Sequence, residues 1–352
     1  MNSTKDVTIY DVAKALNISP STVSRGLKDH PHIKKETIKK IKSAAHEMGY
    51  QRNKFASNLR LKQSHTIGVI VPKLNSVFMA TAISGIEKVT NKLGYGLLIS
   101  QSQESEVHEI SCISTLFNSR IDGLLISLSY DTKNLDHFNL LLKKNIPVVF
   151  FDRVVECNGC MSVVIDNFRA GYEATSHLID QGCQRIIHLC GNLLRNVYDD
   201  RFKGYKQALI DRGIPFDKSL VIVSDLSSKA GTDSAKKILK MKPLPDGIFT
   251  SNDTSAVAAI LELQRAGLKV PEEIAVVGFN NEPISQVVQP NLTTVSYPAM
   301  EIGEIAASSL INKLKNSQSD NLSTIILKHN LIIRESSLRI KNIDSKLVRR
   351  IS

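Results

Sequence analysis

From Thr66 onwards, short apolar runs alternate with longer stretches in which apolar residues recur every three or four positions. Such runs are typical of buried parallel strands, and the amphipathic stretches between them are typical of helices that cover a sheet. The pattern predicts an α/β body of two doubly wound lobes. The nine predicted strands are Ile67–Val71, Gly96–Ser100, Gly123–Ser127, Val148–Phe151, Val163–Ile165, Ile186–Leu189, Leu220–Val223, Gly247–Thr250 and Ile274–Val277.

Parallel sheets of this kind bind ligands beyond the carboxyl ends of their strands. Two lobes that face one another create a cleft at those ends. The body is therefore predicted to hold a small molecule.

The first fifty residues follow a purely helical pattern. Thr8 is suited to cap a first helix, and Asn17 and Ile18 interrupt the pattern. Ser19 is a second favourable cap, and Pro20 follows it at the first helical position, where its missing N–H costs nothing. A third helix is predicted from about Lys34 to Gly49. The residues predicted to face inward are Ile9, Val12, Ala13, Leu16, Val23, Leu27, Ile38, Ile41, Ala45 and Met48.

Three short helices with a tight turn between the first two predict an all-α helix-turn-helix head, whose second helix enters the major groove of DNA. Small polar side chains on that helix let the backbone approach DNA closely, and Arg25 can make a bidentate contact with guanine. The alternative on spacing alone is a small helical bundle that binds nothing.

The net charge of +11 is concentrated in the head. Residues 1–64 hold 13 Lys and Arg against 5 Asp and Glu, residues 65–338 hold 27 against 28, and residues 339–352 hold 5 against 1. Phosphate neutralisation drives nucleic-acid affinity, so a basic head on a neutral body indicates a polyanion partner for the head. A basic surface that is merely solvated is the alternative.

Length and composition narrow the class of protein further. A chain of 352 residues exceeds one ordinary domain, and 42% hydrophobic residues suffice for buried cores. No apolar run approaches the roughly 20 residues of a membrane span, and no cleavable apolar segment follows the polar start. We expect a cytoplasmic protein with no membrane partner. Five cysteines indicate no disulfide framework, and the CxxC of Cys157 and Cys160 is interpreted as structural or incidental thiols.

At this point the head is recognisable. The runs Thr8–Leu16, Ser21–Arg25, Gly49–Tyr50 and Asn53–Leu59 closely resemble the DNA-binding head of the lactose-repressor (LacI/GalR) family. The resemblance implies base-reading positions at Pro20, Ser21 and Arg25, and positions near phosphate or the operator edge at Tyr10, Ser19, Thr22, Ser24 and His32.

The segment after the head resembles the family's hinge helix, which pairs with its copy from a second subunit in the minor groove. Asn53 and Ala56 stand at matching spacing, and Leu59 takes the place of the apolar wedge that opens a base step. Arg52 replaces the family's usual proline, and Ser57 replaces a residue that is often basic. An ordinary linker leucine is the alternative for Leu59.

The lobes resemble the same family and also periplasmic sugar-binding proteins. The matching stretches are Asp152–Arg153, Arg201–Tyr205, Ser251–Asp253, Val270–Pro271, Val277–Phe279 and Pro290–Val295. The likeness implies that the chain crosses between lobes near Ile165, Asn291 and Thr324. The effector-facing positions that it implies are Phe78, Ser127, Asp152, Arg201, Asn252, Asn280 and Tyr297.

Several positions leave the nature of the effector open. Leu226 stands where several members carry a stacking aromatic, so Phe78 or Tyr297 would have to supply a platform for a sugar ring. A satisfied loop or helix cap is the alternative for each polar position, above all for Asp253. Family likeness alone favours a sugar or sugar phosphate.

The sequence shows no catalytic constellation: there is no GxGxxG after the first strand, no Walker loop and no GxSxG elbow. His177 and His188 are interpreted as structural, and no cofactor is expected. An exported solute receptor and an enzyme on the same fold are the alternatives. The basic head opposes the first, and the lack of a reactive pair opposes the second.

The predicted organisation is therefore a helix-turn-helix domain over residues 1–51, a hinge and linker over 52–64, an effector-binding and dimerisation body over 65–338, and a basic tail over 339–352. We expect a transcriptional regulator that binds a pseudo-palindromic operator as a homodimer. The apolar spacing in the tail leaves tetramerisation as an alternative.

Overall fold

The computed structural model describes residues 7–50, 64–157, 159–315 and 324–339. The chain divides into two compact units, Met1–Ser64 and His65–Ser352. None of the helices in the described ranges is both long enough and apolar enough to cross a membrane.

The head consists of three helices, α1 (Ile9–Ala15), α2 (Pro20–Gly26) and α3 (Lys35–Glu47). Its core is formed by the predicted inward faces, with Val12, Ala13, Val23, Ile41 and Ala45 buried. Both predicted caps are present. Thr8 is bonded through its backbone N and its Oγ1 to Asp11 Oδ2, and Ser19 Oγ accepts from Thr22 N. The two caps lie at the starts of α1 and α2, whereas α3 begins after Lys34 without a side-chain cap, and each of the three helices buries one face in the small core.

The first lobe is built on a six-stranded parallel sheet in the order β11-β5-β4-β3-β1-β2. Its middle strands are almost entirely buried, which explains their unbroken apolar runs. The strands are β1 (Thr66–Val71), β2 (Gly96–Gln101), β3 (Gly123–Ile126), β4 (Val148–Phe151), β5 (Met161–Ile165) and β11 (Thr324–Leu327).

The second lobe has a six-stranded sheet in the order β12-β10-β9-β8-β6-β7. All its pairs are parallel except β10 with β12, which is antiparallel. The strands are β6 (Ile186–Cys190), β7 (Val221–Val223), β8 (Gly247–Thr250), β9 (Ala275–Asn280), β10 (Thr293–Ser296) and β12 (Asn330–Ile332).

Helices cover both sheets, as expected for doubly wound lobes. The first lobe carries α4 (Val77–Lys92), α5 (Glu106–Asn118), α6 (Asn139–Leu142) and α11 (Ala299–Lys315). The second lobe carries α7 (Asn167–Asp180), α8 (Asn196–Asp211), α9 (Ser228–Ile238) and α10 (Asp253–Arg265).

The chain crosses between the lobes at three places, one of which differs from the prediction. The first crossing follows Ile165, as expected. The second lies between Ser296 and Ala299, because β10 belongs to the second sheet and α11 packs on α4 of the first lobe. The third lies between β11 and β12, a few residues after the expected Thr324. Strands β10, β11 and β12 were not among the predicted nine, and each is defined by pairing with a distant strand, β10 with β9, β11 with β5 and β12 with β10.

Two further details differ from the sequence-based picture. Cys157 and Cys160 are joined as a disulfide rather than standing as separate thiols. The body also extends at least to Arg339, one residue beyond the predicted boundary. Its guanidinium donates to the carbonyl oxygens of Pro271 and Glu273 in the second lobe.

Candidate nucleic-acid interface and ligand cleft

The outer face of α2 carries the residues predicted to read bases. Val23 occupies the core, so Ser21 and Arg25 are left exposed and Pro20 is partly exposed. Ser19 Oγ lies 2.8 Å from both Ser21 Oγ and Thr22 Oγ1, which fixes the polar start of the helix. This face combines short side chains with one long forked donor, as a helix in a major groove requires.

The predicted phosphate-side residues also lie on the surface of the head. The Tyr10 side chain is 67% exposed at the start of α1. His32 is exposed, with its ring centre 5.4 Å from that of His30, and Ser24 and Thr22 are partly exposed. The predicted hinge residues Asn53, Ala56 and Leu59 lie outside the described residues.

A cavity of about 300 Å³ lies between the two lobes at the carboxyl ends of their strands. Five of the seven predicted effector residues line it: Phe78, Asp152, Arg201, Asn252 and Asn280. The other two stand behind its wall. Ser127 Oγ donates to Asp152 Oδ2 at 3.1 Å, and Tyr297 packs against Phe78 with ring centres 4.5 Å apart.

The loops around the cavity hold non-glycine residues in the left-handed backbone region. Asp152 follows β4 with φ 60°, Leu226 follows β7 with φ 56°, and Asn280 ends β9 with φ 107°. This region is uncommon for residues with a Cβ, and strain of this kind is concentrated at functional sites. The conformation turns each of these residues out of its strand direction at the cavity wall.

Arg201 is held on three sides. It is 3% exposed, its Nε donates to Asn167 Oδ1 at 2.9 Å, and its Nη1 donates to the Ser251 carbonyl at 2.9 Å. The guanidinium carbon lies 3.5 Å from the centre of the Phe279 ring. Burial lowers the pKa of this guanidinium, although arginine remains charged at neutral pH. The result is a fixed planar donor at the cavity wall.

Asp152 places a buried carboxyl group at the same cavity. Burial raises the pKa of its carboxyl group, while Arg153 and Arg201 act against that rise. The Ser127 hydroxyl acts in the same direction as the two arginines, and a carboxyl group can accept hydrogen bonds in either protonation state. Asp152 and Arg201 therefore offer an acceptor and a donor to one ligand.

Asn252 serves as a helix cap as well as lining the cavity. Its Oδ1 accepts from Ser255 N at 2.9 Å at the start of α10, and its Nδ2 donates to the Leu226 carbonyl at 2.9 Å. Part of its hydrogen-bonding capacity is thus used inside the protein. Asn280 is similarly tied, with Nδ2 donating to Glu282 Oε1 at 3.2 Å.

Asp253 is a structural residue. It is fully buried, its Oδ1 accepts from Thr294 Oγ1 at 2.6 Å, and its Oδ2 accepts from Glu282 N at 2.7 Å. Burial raises the pKa of its carboxyl group to about 7. It ties the start of α10 to the turn after β9.

His177 and His188 lie in structural settings. His177 Nε2 is 2.7 Å from Ser337 Oγ, and His188 Nδ1 is 3.1 Å from the Phe249 carbonyl. Burial lowers the pKa of His188 to about 4. Within the described ranges there is no group of three or more His, Cys, Asp or Glu arranged to hold a metal ion.

The cavity also has a wall that sequence reasoning did not identify, formed by Glu104, Tyr130, Arg153 and Tyr198. The sequence indicates Arg153 only as the neighbour of Asp152, and it gives no separate signal for Tyr198. Tyr198 lies one helical turn before Arg201. Both positions could have been inferred from helix and strand geometry once Asp152 and Arg201 were placed. The other polar residues lining the cavity are Lys73, Asn75, Ser76, Asp225, Ser227, Ser228, Ser251, Thr254 and Glu282.

Two family models match the chain. Residues 8–53 match bacterial regulatory proteins of the lacI family. Residues 64–335 match the periplasmic binding proteins and sugar-binding domain of the LacI family. The two matches cover the head and both lobes.

Individual relatives and solved structures are also similar to this chain over most of its length. Catabolite control protein A of Priestia megaterium is 32% identical over 333 residues, which cover 94% of this chain and 99% of that protein. A LacI-family transcriptional regulator from Enterococcus faecium with bound ribose has a TM-score of 0.71 and 26% identity, covering 78% of this chain and 100% of that chain. The Lac repressor dimer bound to operator and the anti-inducer ONPF shares the fold, with a TM-score of 0.85 and 24% identity over 95% of this chain and 100% of that chain.

The helix-turn-helix head lies in the range that matches the first family model. The two doubly wound lobes and their cleft lie in the range that matches the second. The chain therefore belongs to the LacI family of bacterial regulatory proteins, which are DNA-binding regulators of transcription.

Proposed function

We propose that this chain represses transcription as a homodimer on a pseudo-palindromic operator, and that a small molecule bound between its lobes controls the grip on DNA. The observation that carries the proposal is the cavity between the lobes, where Arg201 and Asp152 face one ligand-sized space. A chain with a DNA-reading head and such a cavity has the two sites that allosteric control needs.

In this proposal α2 lies in the major groove and Arg25 forks onto guanine O6 and N7. Pro20 and Ser21 let the helix approach and touch base edges, while Tyr10, Ser19, Thr22, Ser24 and His32 contact phosphate or the operator edge. Because Pro20 and Ser21 are weak hydrogen-bond readers, Arg25 and DNA shape carry much of the specificity.

The hinge residues complete the DNA contact. Asn53 and Ala56 would belong to a helix of about two turns, which is too short to persist alone in water. It would form on DNA, paired with the copy from the second subunit, and Leu59 would wedge between bases of the minor groove. The Lac repressor is a dimer in its operator complex, which supports the same assembly here.

The charges at the cavity favour an uncharged polyhydroxyl effector over its phosphate. The lining residues include three cations, Lys73, Arg153 and Arg201. They also include four carboxylates, at Glu104, Asp152, Asp225 and Glu282. Arg153 is already neutralised by Glu104, with 2.6 Å between Nη1 and Oε2. A dianionic phosphate would enter a wall that carries more negative than positive groups, whereas hydroxyls can both donate and accept there.

Effector control requires different affinities for two states. A ligand that bridges the lobes favours one spacing of the segments leading to the two heads of a dimer. That spacing sets whether the paired hinge helices can form. By reciprocity, operator DNA then changes the affinity for the effector by the same factor.

Operator binding is tested by selecting fragments from random or genomic DNA with the purified full chain, followed by footprinting. We expect a two-fold symmetric footprint. With about 6 to 10 phosphate contacts, affinity falls by about three to five decades between roughly 50 and 200 mM salt. Binding that is insensitive to salt, or that prefers no fragment, would refute the role given to the head.

Effector binding is tested by a thermal-shift screen on the full chain. The screen covers nucleobases and sugars, each sugar being matched with its phosphate. We expect the neutral member of a matched pair to give the larger shift. A hit is then added to the footprinting reaction, where it must change occupancy of the operator. If a phosphate shifts the protein more than its parent sugar does, the charge argument is wrong.

A further inference from the structure

The two lobes are joined directly at one end of the cleft. The first lobe contributes the loop at 128–132 and the residues after β4, and the second contributes the segment 192–198 before and within the first turn of α8. Six hydrogen bonds cross between them. These are Asn192 Nδ2 to Tyr130 O (3.0 Å), Arg195 Nη2 to Thr132 O (2.6 Å), Asn196 Nδ2 to Asp152 O (3.2 Å), Val154 N to Asn196 Oδ1 (2.9 Å), Arg153 Nη2 to Tyr198 Oη (3.1 Å), and the Tyr130–Tyr198 hydroxyl pair (3.1 Å).

Arg153 is the centre of this contact. Its guanidinium pairs with Glu104 at 2.6 Å, and the two side chains are only 8% and 13% exposed. The guanidinium carbon also lies 4.2 Å from the centre of the Tyr130 ring and 5.6 Å from that of Tyr198. The Arg153 guanidinium is thus paired with a carboxylate, stacked on aromatic rings and hydrogen-bonded at a largely buried site. Such a group keeps a defined geometry far better than an exposed ion pair does.

All these contacts are made by protein groups to protein groups. None of the six bonds uses a ligand as a bridge between the lobes. The contacts also act on the helix that carries Arg201, because Asn196, Tyr198 and Arg201 all lie in the first turns of α8.

We propose that Glu104, Tyr130, Arg153, Asn196 and Tyr198 form a clasp of protein-to-protein contacts that favours the closed cleft and holds α8 in its effector-ready position. The inference deepens the proposed function, since it concerns regulation at the same cleft. Apparent effector affinity is the intrinsic affinity multiplied by the populated fraction of the competent state. A clasp that raises this fraction reduces the affinity that the effector spends on closing the lobes, and the remaining open fraction is what the effector shifts.

Amide hydrogen exchange of the full chain, without DNA or effector, tests the clasp directly. The Val154 amide donates to Asn196 across the lobes, so a peptide covering this amide reports opening. In the parent chain we expect it to be protected. Arg153→Gln should speed its exchange by about tenfold or more, and Tyr198→Phe, which removes one hydroxyl and leaves the Glu104–Arg153 pair intact, by a smaller factor.

The matched control is Arg169→Gln, which removes an exposed ion pair between Arg169 and Glu173 within one helix of the second lobe. It should leave the Val154 peptide unchanged. In every variant a peptide from the buried strand β3 should stay protected, which separates opening of the cleft from unfolding.

Rapid exchange at Val154 in the parent chain would overturn the clasp, as would unchanged exchange in both Arg153→Gln and Tyr198→Phe. If Arg153→Gln loses protection in β3 as well, Tyr198→Phe decides the matter. Because no nucleic acid or ligand is present, these outcomes are independent of whether operator binding and effector control are found.

Discussion

Arg201 stacks on the face of Phe279, with its guanidinium carbon 3.5 Å from the ring centre. The two residues come from different elements, α8 and β9, and meet at the wall of the cleft. The stack leaves the edge of the guanidinium to make hydrogen bonds, to Asn167 and to the Ser251 carbonyl. It therefore sets the direction from which a ligand can be held.

Arg201→Lys should separate the effector response from DNA binding. Lysine keeps the charge but loses the planar stack and the fixed fork, which is worth about 2 kcal/mol at a desolvated site. We expect effector affinity, measured by calorimetry with a hit from the screen, to fall by about tenfold or more. Operator affinity without effector should stay within about twofold. Loss of both together, with a lower melting temperature, would indicate misfolding instead.

Arg25→Lys should relax base preference at one position in each half-site. The charge remains, so the salt dependence of binding should keep its slope. The bidentate contact is lost, and we expect about 1 to 3 kcal/mol less discrimination at that base pair. Competition with operators substituted at each position measures both quantities. A uniform loss across all sequences would show that Arg25 touches only phosphate.

Gly204→Ala should destabilise the second lobe. A Cβ at Gly204 would collide with the carbonyl oxygen of Phe168 and the amide of Tyr172, both backbone atoms of α7. Helix propensity gains only about 1 kcal/mol from the change, while overpacking against backbone costs about 1 to 3 kcal/mol or more. We expect a net loss, seen in urea unfolding. Gly96→Ala is the control, because its added Cβ would meet nothing closer than the His65 carbonyl oxygen at 3.9 Å.

Asp253→Asn should change how stability depends on pH. The folded chain keeps the Asp253 proton up to a pKa of about 7, whereas the unfolded chain releases it near the ordinary value of 3.8. The folded state thus binds more protons between about pH 4 and 7, so this group makes the parent chain less stable as pH rises through that window. Asparagine stays neutral, so the stability of the parent relative to the variant should decline from pH 4 to 7 and then level off. Denaturant unfolding at several pH values measures it, and a difference that does not vary with pH would contradict the assignment.

The head could be predicted from sequence because its signals are local. Thr8 and Ser19 cap helices that begin beside them, and the apolar spacing of Val12, Val23 and Ile41 identifies the three inner faces. The same holds for most of the nine predicted strands, whose apolar runs reflect burial on both faces, while β2 and β7 are partly exposed at the edges of their sheets. The family likeness added what spacing could not, namely which side chains face DNA or a ligand.

The remaining features depend on contacts between distant parts of the chain. The short strand Thr293–Ser296 is assigned to the second lobe by pairing with β9, which its own four residues do not reveal. Tyr130 and Tyr198 are 68 residues apart, and only the closed arrangement of the lobes brings their hydroxyls together. Asn252 is predicted as an effector-facing amide with a helix cap as the alternative, and in the structure it both lines the cavity and holds Leu226 and the start of α10.

The first lobe is completed by a late part of the chain, since β11 pairs with β5 and α11 covers α4. A ribosome making this protein therefore releases Thr66–Ile165 long before the pieces that finish that lobe. Until residue 327 has emerged, one edge of β5 and one face of α4 have no covering from their own lobe. The second sheet is completed later still, when β12 (Asn330–Ile332) pairs with β10, so during synthesis neither sheet is complete until the chain has emerged beyond residue 327.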